Sequence, residues 1–198
     1  MKDYAAIATQ YAQDVVDGNL VACKWVKLAC QRHLNDLDRA AAGWDYAFNP
    51  ELVDLKGKTF RPADRICRFA ELMPHIKGDW AARGERIKLE PWQVFVLASI
   101  FGWIEIETSK RRFRIADLFV PRKNAKSTLA AVIGLFLLAV DDEFGAEVYS
   151  GATSLKQAME VFRPALLMMK SKQGMEFCAR YGVTPNASNI SVASTNSK

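Results

Sequence analysis

The chain has 198 residues, half of them hydrophobic and a quarter charged, with a formal net charge of +5. This composition is that of a folded protein with one good core, so it excludes an intrinsically disordered chain. The N-terminus has Lys2 and Asp3 in place of an apolar signal core, and the longest uncharged apolar run, 128–140, is too short to span a membrane. A soluble protein is expected.

The four cysteines show neither a CxxC spacing nor a nearby histidine cluster, so neither a zinc site nor a disulfide framework is indicated. Cys23 and Cys30 are seven residues apart on a predicted helix and therefore share a face. We expect both to be buried, reduced thiols, which fits a cytosolic compartment.

The N-terminal third has helical patterns. Helices are predicted over 4–16 and 20–42, with Val21, Trp25 and Leu28 among the residues that recur at helical spacing in the second. Pro62 opens a third helix that runs to Leu72, and 74–78 is a turn. A further helix follows Pro91 and spans 92–101.

The C-terminal half alternates strand and helix. Residues 115–120 read as a buried strand, 128–140 as a buried helix, 147–151 as a second strand, 154–170 as a helix that Pro164 kinks, and 189–193 as a last strand. Strands that alternate with helices in this way are typical of a parallel sheet with right-handed crossovers. The predicted fold class is therefore α/β.

Between the strand at 115–120 and the next helix lies Val120-Pro-Arg-Lys-Asn-Ala-Lys-Ser127. A loop that ends in Lys-Ser at a helix N-terminus can hold a triphosphate, with Lys126 on the β/γ-phosphates and the Ser127 hydroxyl on Mg²⁺. Val120 and Ala125 stand where the usual motif has glycine. Because that second glycine often has φ > 0, Ala125 is expected to carry strain of about 1 kcal/mol. A helix that simply opens with solvated charges is the alternative.

Two charged features need separate interpretation. Asp141, Asp142 and Glu143 follow an apolar run, as a magnesium-binding acidic pair would, but they continue the helix that leaves the loop and lie about 20 Å beyond it. We assign them to a solvated helix end. The basic residues Lys110, Arg111, Arg112 and Arg114, followed by those of the loop, form either a solvated edge or a surface for a polyanion.

Several segments together resemble the large terminase subunit of tailed bacteriophages: Leu89-Glu-Pro-Trp-Gln93, Phe101-Gly-Trp103, residues 120–128, and Gly151-Ala-Thr-Ser-Leu-Lys-Gln157-Ala158. Residues 22–25, 29–37 and 69–78 are also similar to the N-terminal region of that family. The resemblance implies an ATP-driven motor that packages double-stranded DNA into capsids. It divides the chain into a helical N-terminal arm, 1–80, and the first part of a P-loop NTPase-type parallel sheet, 81–198, which is incomplete.

The resemblance also implies roles for individual residues. Gln93 would pair with the adenine edge and Trp92 would contact the base, although an exposed polar residue and a core tryptophan are the alternatives. Arg122 would neutralise charge on the transferred phosphoryl group, unless it pairs with a local carboxylate. The remaining contacts to ATP and Mg²⁺ come from the loop: Lys123, Asn124, Ala125, Lys126, Ser127 and Thr128.

The family's acidic magnesium-binding pair and its nuclease carboxylates are expected after residue 198, so this chain resembles a fragment that is inactive by itself. By resemblance, the partners are double-stranded phage DNA, the small terminase subunit, the portal protein and further copies in a ring, in the cytoplasm of a bacterial host. Two alternatives stay open: another P-loop translocase or helicase, and a basic nucleic-acid-binding module that no longer takes nucleotide.

Overall fold

The computed structural model describes residues 2–198, and eight helices and six short strands lie within that range. The helices are α1 (Tyr4–Val16), α2 (Lys24–Ala41), α3 (Pro62–Leu72), α4 (Gly78–Ala82), α5 (Pro91–Gly102), α6 (Lys126–Ala139), α7 (Leu155–Lys170) and α8 (Lys172–Tyr181). The strands are β1 (Tyr46–Phe48), β2 (Leu52–Val53), β3 (Thr59–Phe60), β4 (Trp103–Glu105), β5 (Val183–Pro185) and β6 (Ile190–Val192).

The chain forms two compact units that interleave along the sequence. The first contains residues 1–68 and 89–118, and the second contains 69–88 and 119–198, so the division falls within α3. Because neither unit is one continuous stretch of chain, the arm at 1–80 and the core at 81–198 stay a prediction.

The first unit is built on α1, which packs against α2 and α5. The side chains of Ala8, Ala12 and Val15 are fully buried, and small side chains allow helices to approach closely. A buried polar network adds to this core: Asp64 accepts hydrogen bonds from the backbone N–H of Tyr4 at 3.2 Å and from Asn49 Nδ2 at 3.3 Å. These bonds link the start of α1, the end of β1 and the first turn of α3.

An aromatic cluster joins α2 to the β1–β4 pair in the same unit. His33 is buried, makes edge contacts with Phe48, Phe95 and Trp103, and accepts a hydrogen bond on Nδ1 from Trp103 Nε1 at 3.3 Å. Its Nε2 lies 3.3 Å from the Thr9 hydroxyl. Since Nδ1 is an acceptor, the imidazole is neutral with its proton on Nε2.

The second unit consists of α6, α7 and α8 with the β5–β6 hairpin. Helix α6 buries Leu129, Val132, Leu135 and Phe136, and it packs on α7. Phe69 makes edge contacts with Phe136 and Phe177. The end of the chain folds back, because Val148 N–H donates to the Lys198 carbonyl and Lys198 N–H donates to the Ala146 carbonyl.

The helical predictions for 4–16, 62–72, 92–101, 128–140 and 154–170 are confirmed within a residue or two at each end, and that for 20–42 is confirmed from Lys24 onward. Helices α4 and α8 and strands β1 to β5 were not predicted. Of the residues that recur at helical spacing in α2, Val21, Trp25 and Leu28 are exposed, and the helix buries Cys30, His33 and Asp36. Cys23 is exposed as well, so only Cys30 of that pair is a buried thiol.

The parallel sheet is not present among residues 2–198, where all three two-stranded sheets are antiparallel. Residues 115–120 are not a strand, and Ile115 and Phe119 are 83% and 93% exposed rather than buried. A strand needs a hydrogen-bonded neighbour. The predicted neighbour, 147–151, is not a strand either, because residues 145–148 bond to the last residues of the chain. Residues 190–192 do form a strand, but it pairs antiparallel with β5.

Candidate nucleotide-binding loop

Residues 120–127 form a tight exposed loop that leads directly into α6 in the second unit. Ala125 is the N-cap residue, with φ 53° and ψ 23°, and Lys123 has φ 68°. Both lie in the left-handed region that glycine adopts most easily. The predicted strain at Ala125 is therefore confirmed, whereas the second left-handed position, at Lys123, was not predicted.

The side chain of Lys126 turns back over the loop. Its Nζ donates hydrogen bonds to the carbonyl of Val120 at 2.7 Å and to that of Pro121 at 3.1 Å. Asn124 Nδ2 donates to the Pro121 and Arg122 carbonyls at 3.2 and 3.3 Å. The side chains of Lys126 and Asn124 thus donate hydrogen bonds to the loop carbonyls, and Lys126 is exposed to solvent.

The start of α6 offers backbone donors. The backbone N–H groups of Lys126, Ser127 and Thr128 donate to no acceptor among the described residues, and the first helical bond is from Leu129 N–H to the Ala125 carbonyl. Alanine at the N-cap has no side-chain oxygen to accept from them. By contrast, α7 and α8 begin at Ser154 and Ser171, whose hydroxyl oxygens cap their first turns. The N-terminus of α6 is therefore suited to bind an anion.

The side chains that would complete the site differ in exposure. Ser127 and Thr128 are half-buried in the first turn of α6, whereas Arg122 and Lys123 are exposed. Arg122 forms no ion pair with any residue in the described range 2–198, so the local carboxylate that was its alternative partner is not observed there. The loop combines three cations, free backbone donors and a hydroxyl, a donor set that fits a magnesium-bound polyphosphate.

Trp92 and Gln93 belong to the first unit, in the first turn of α5. Gln93 is 9% exposed, so the alternative of an exposed polar residue is wrong, and its Oε1 accepts a hydrogen bond from Glu90 N–H at 3.0 Å. This is half of a capping box. The amide therefore has a structural role that the sequence spacing of Glu90 and Gln93 could have revealed. Trp92 is half-buried.

The predicted basic cluster separates into different environments. Arg112 donates to Asp36 at 2.6 Å and lies over the rings of Trp44 and Phe113, at 4.4 and 4.7 Å from their centroids. It is thus part of the first unit's interior rather than a solvated edge. Lys110 and Arg114 are exposed.

The acidic run does not continue α6 as predicted but lies in irregular backbone just beyond it, far from Lys126 as expected. Asp141, Asp142 and Glu143 follow the end of the helix at Ala139, and α6 has 14 residues, so they lie about 20 Å along the axis from Lys126. Within residues 2–198 no group of three His, Cys, Asp or Glu side chains could hold a metal ion. None of the helices in that range is long and apolar enough to cross a membrane.

The family model of the terminase large subunit ATPase domain matches residues 91–183, which include α5, the loop, α6 and α7. The resemblance inferred from the motifs is confirmed. The match covers 93 of the 198 residues, so the similarity is to this one domain of the terminase large subunit and is limited to that segment. Comparison with curated proteins and with solved structures gives no significant match.

Proposed function

We propose that this chain is the nucleotide-binding part of a terminase large subunit, the ATP-driven motor that packages double-stranded DNA into phage capsids. The terminase ATPase match over residues 91–183 supports an ATPase role. The observation that carries the proposal is the loop: a left-handed Ala125, three unbonded N–H groups at the start of α6 and the Lys126 ammonium all meet at one helix end.

In this proposal each residue of the loop has a separate role in binding ATP. Lys126 would hold the β/γ-phosphates in place of its two carbonyl bonds, and Ser127 would hold Mg²⁺. Arg122 offsets the charge on the transferred phosphoryl group. The backbone from Lys123 to Thr128 would hold the remaining phosphate oxygens, and by the family resemblance alone Gln93 and Trp92 would recognise the base.

The proposal extends to the whole motor. The chain would divide into an arm at 1–80 and a core at 81–198. Residues 115–120 would join a parallel sheet once the rest of the ATPase domain is in place, which fits the exposure of Ile115 and Phe119. The nuclease, the ring of copies, the small terminase subunit, the portal and the host cytoplasm all follow from the family alone.

A titration with a fluorescent ATP analogue and Mg²⁺ tests the loop. Lys126→Ala should weaken binding at least tenfold, since charge-assisted bonds to phosphate are among the strong ones. Lys123→Ala is the matched control: it removes an exposed cation from the same loop and should cost much less. Equal affinity of wild type and Lys126→Ala would refute the assignment and would favour the basic nucleic-acid-binding alternative.

A further inference from the structure

The exposed side of α2 in the first unit carries large apolar side chains. Val21, just before the helix, is fully exposed, while Trp25 and Leu28 are 73% and 51% exposed. Trp25 and Leu28 are three residues apart and so lie one above the other on the helix surface. Single exposed apolar residues are ordinary, but a contiguous set on one face marks an interaction surface.

Next to this face lies an open groove of about 500 Å³, lined by Val16, Ala22, Lys24, Lys27, Leu28 and Gln31. We call it the α2 groove. Three of its six lining residues are apolar, two are lysines and none is a carboxylate. Leu28 belongs both to the groove and to the apolar face, so the two form one continuous surface.

The positive charge of the groove is not neutralised within residues 2–198. Neither Lys24 nor Lys27 forms an ion pair there, and Lys24 lies over the Trp25 ring at 5.5 Å. The nearest carboxylates along the chain are Asp17, which accepts a hydrogen bond from Gln13 Nε2, and Asp36, which pairs with Arg112 and Arg39. A partner that brings carboxylates would therefore meet complementary charge.

We propose that the α2 groove binds an acidic amphipathic helix of another protein. An apolar groove with anchors one helical turn apart accommodates the apolar stripe of a helix. The carboxylates that flank such a stripe would lie against Lys24 and Lys27. A second copy of this chain fits poorly, because a two-fold contact would place these lysines opposite one another.

The test is a selection from a displayed library of helix-forming 18-residue peptides on the intact chain. Clones that bind the Leu28→Ala variant as well as the wild type are discarded. The surviving clones should carry Leu, Ile or Phe one turn apart, flanked by Glu or Asp. Survivors that are basic or without charge bias, or a lack of survivors, would overturn the proposal.

Reversing the charges on both the protein and a selected peptide separates a loss of charge complementarity from misfolding, because a misfolded variant would not gain affinity for the reversed peptide. The double variant Lys24→Glu/Lys27→Glu should bind the acidic peptide at least tenfold more weakly and should bind its Glu-to-Lys counterpart more tightly than the wild type does. Leu55→Ala, which truncates another exposed leucine of the first unit, is the control and should bind like the wild type.

Three results would show that the α2 groove binds a different kind of partner and would refute the proposal. Binding to anionic lipid vesicles that Leu28→Ala abolishes would indicate a membrane surface. Binding of duplex DNA that the lysine reversal abolishes, without any selected peptide, would indicate nucleic acid. Self-association in sedimentation velocity that Leu28→Ala abolishes would indicate a second copy of this chain.

Discussion

Ala125 is held in a left-handed conformation that its Cβ disfavours by about 1 kcal/mol. Glycine would adopt the same φ without that cost, and it would leave the backbone N–H groups of the loop in place. The strain is thus a local property of this residue, and removing it should not harm the site.

Ala125→Gly should accordingly bind the ATP analogue as tightly as the wild type or more tightly. Titrations of both proteins measure this. The control is Ala130→Gly in the body of α6, where glycine should lower the free energy of unfolding by about 0.5–1 kcal/mol. If Ala125→Gly clearly lost affinity, the methyl group would have to contribute contacts that the strain argument ignores.

Gln93 combines a structural bond with a proposed role in base recognition, and two substitutions separate them. Gln93→Glu keeps an oxygen that can accept from Glu90 N–H but removes the amide donor, whereas Gln93→Ala removes both. Gln93→Glu should bind ATP and GTP more nearly equally than the wild type does. Competition titrations give the ratio, and an unchanged ATP preference in both variants would exclude the adenine role.

At the scale of elements, the stability of the first unit depends on His33 of α2, which is neutral and bonded to Trp103 of β4. Burial lowers the pKa of His33 to about 4, an effect that nearby Asp36 opposes and Arg32 reinforces. The Trp103 indole N–H donates to its Nδ1, and protonation would remove that acceptor. The contact therefore exists only while the imidazole is uncharged.

The pKa of His33 in the folded protein lies below its ordinary value of about 6.5. The stability that comes from neutral His33 is therefore fully present above pH 6.5. The contribution, up to about 3 kcal/mol, is lost as the pH falls from 6.5 to 4. Urea unfolding at several pH values should show this loss in the wild type and a flatter profile in His33→Gln. His75→Gln serves as the control and should keep the steep dependence; an equally steep profile in His33→Gln would show that other groups cause it.

At the scale of the whole molecule, the apolar side chains of Ile115, Phe119, Phe144, Tyr149 and Leu155 are all strongly exposed. In the proposed motor, further strands would cover some of these side chains. The acidic run that follows α6 lies at the far end of that helix from Lys126 and is too distant to orient magnesium and water.

These 198 residues alone should therefore release phosphate from ATP no faster than the Lys126→Ala variant, with or without double-stranded DNA. A phosphate-release assay at equal protein concentrations decides this. Turnover that depends on Lys126 and is abolished by Asp142→Asn would contradict the assignment of Asp141–Glu143 to a helix end.

The sequence alone determined the features whose signals are local. Pro62 and Pro91 at helix starts, the uncharged run of α6 and the Lys-Ser pair at its first turn are short-range patterns. They were enough to predict α3, α5, α6 and the loop, and the loop was one of the segments that carried the resemblance to the terminase large subunit. The strain at Ala125 was equally local, because it follows from the residue type at one position of a loop.

Only the tertiary structure decided what depends on residues far apart in the chain. Periodicity identified α2 as a helix but did not show that it buries His33 and Asp36, because these polar side chains are satisfied by Trp103 and Arg112, which lie far away along the chain. Likewise, residues 115–120 had the composition of a strand, but a strand forms only when another segment bonds to it. Residues 145–148 bond instead to the chain's last residues.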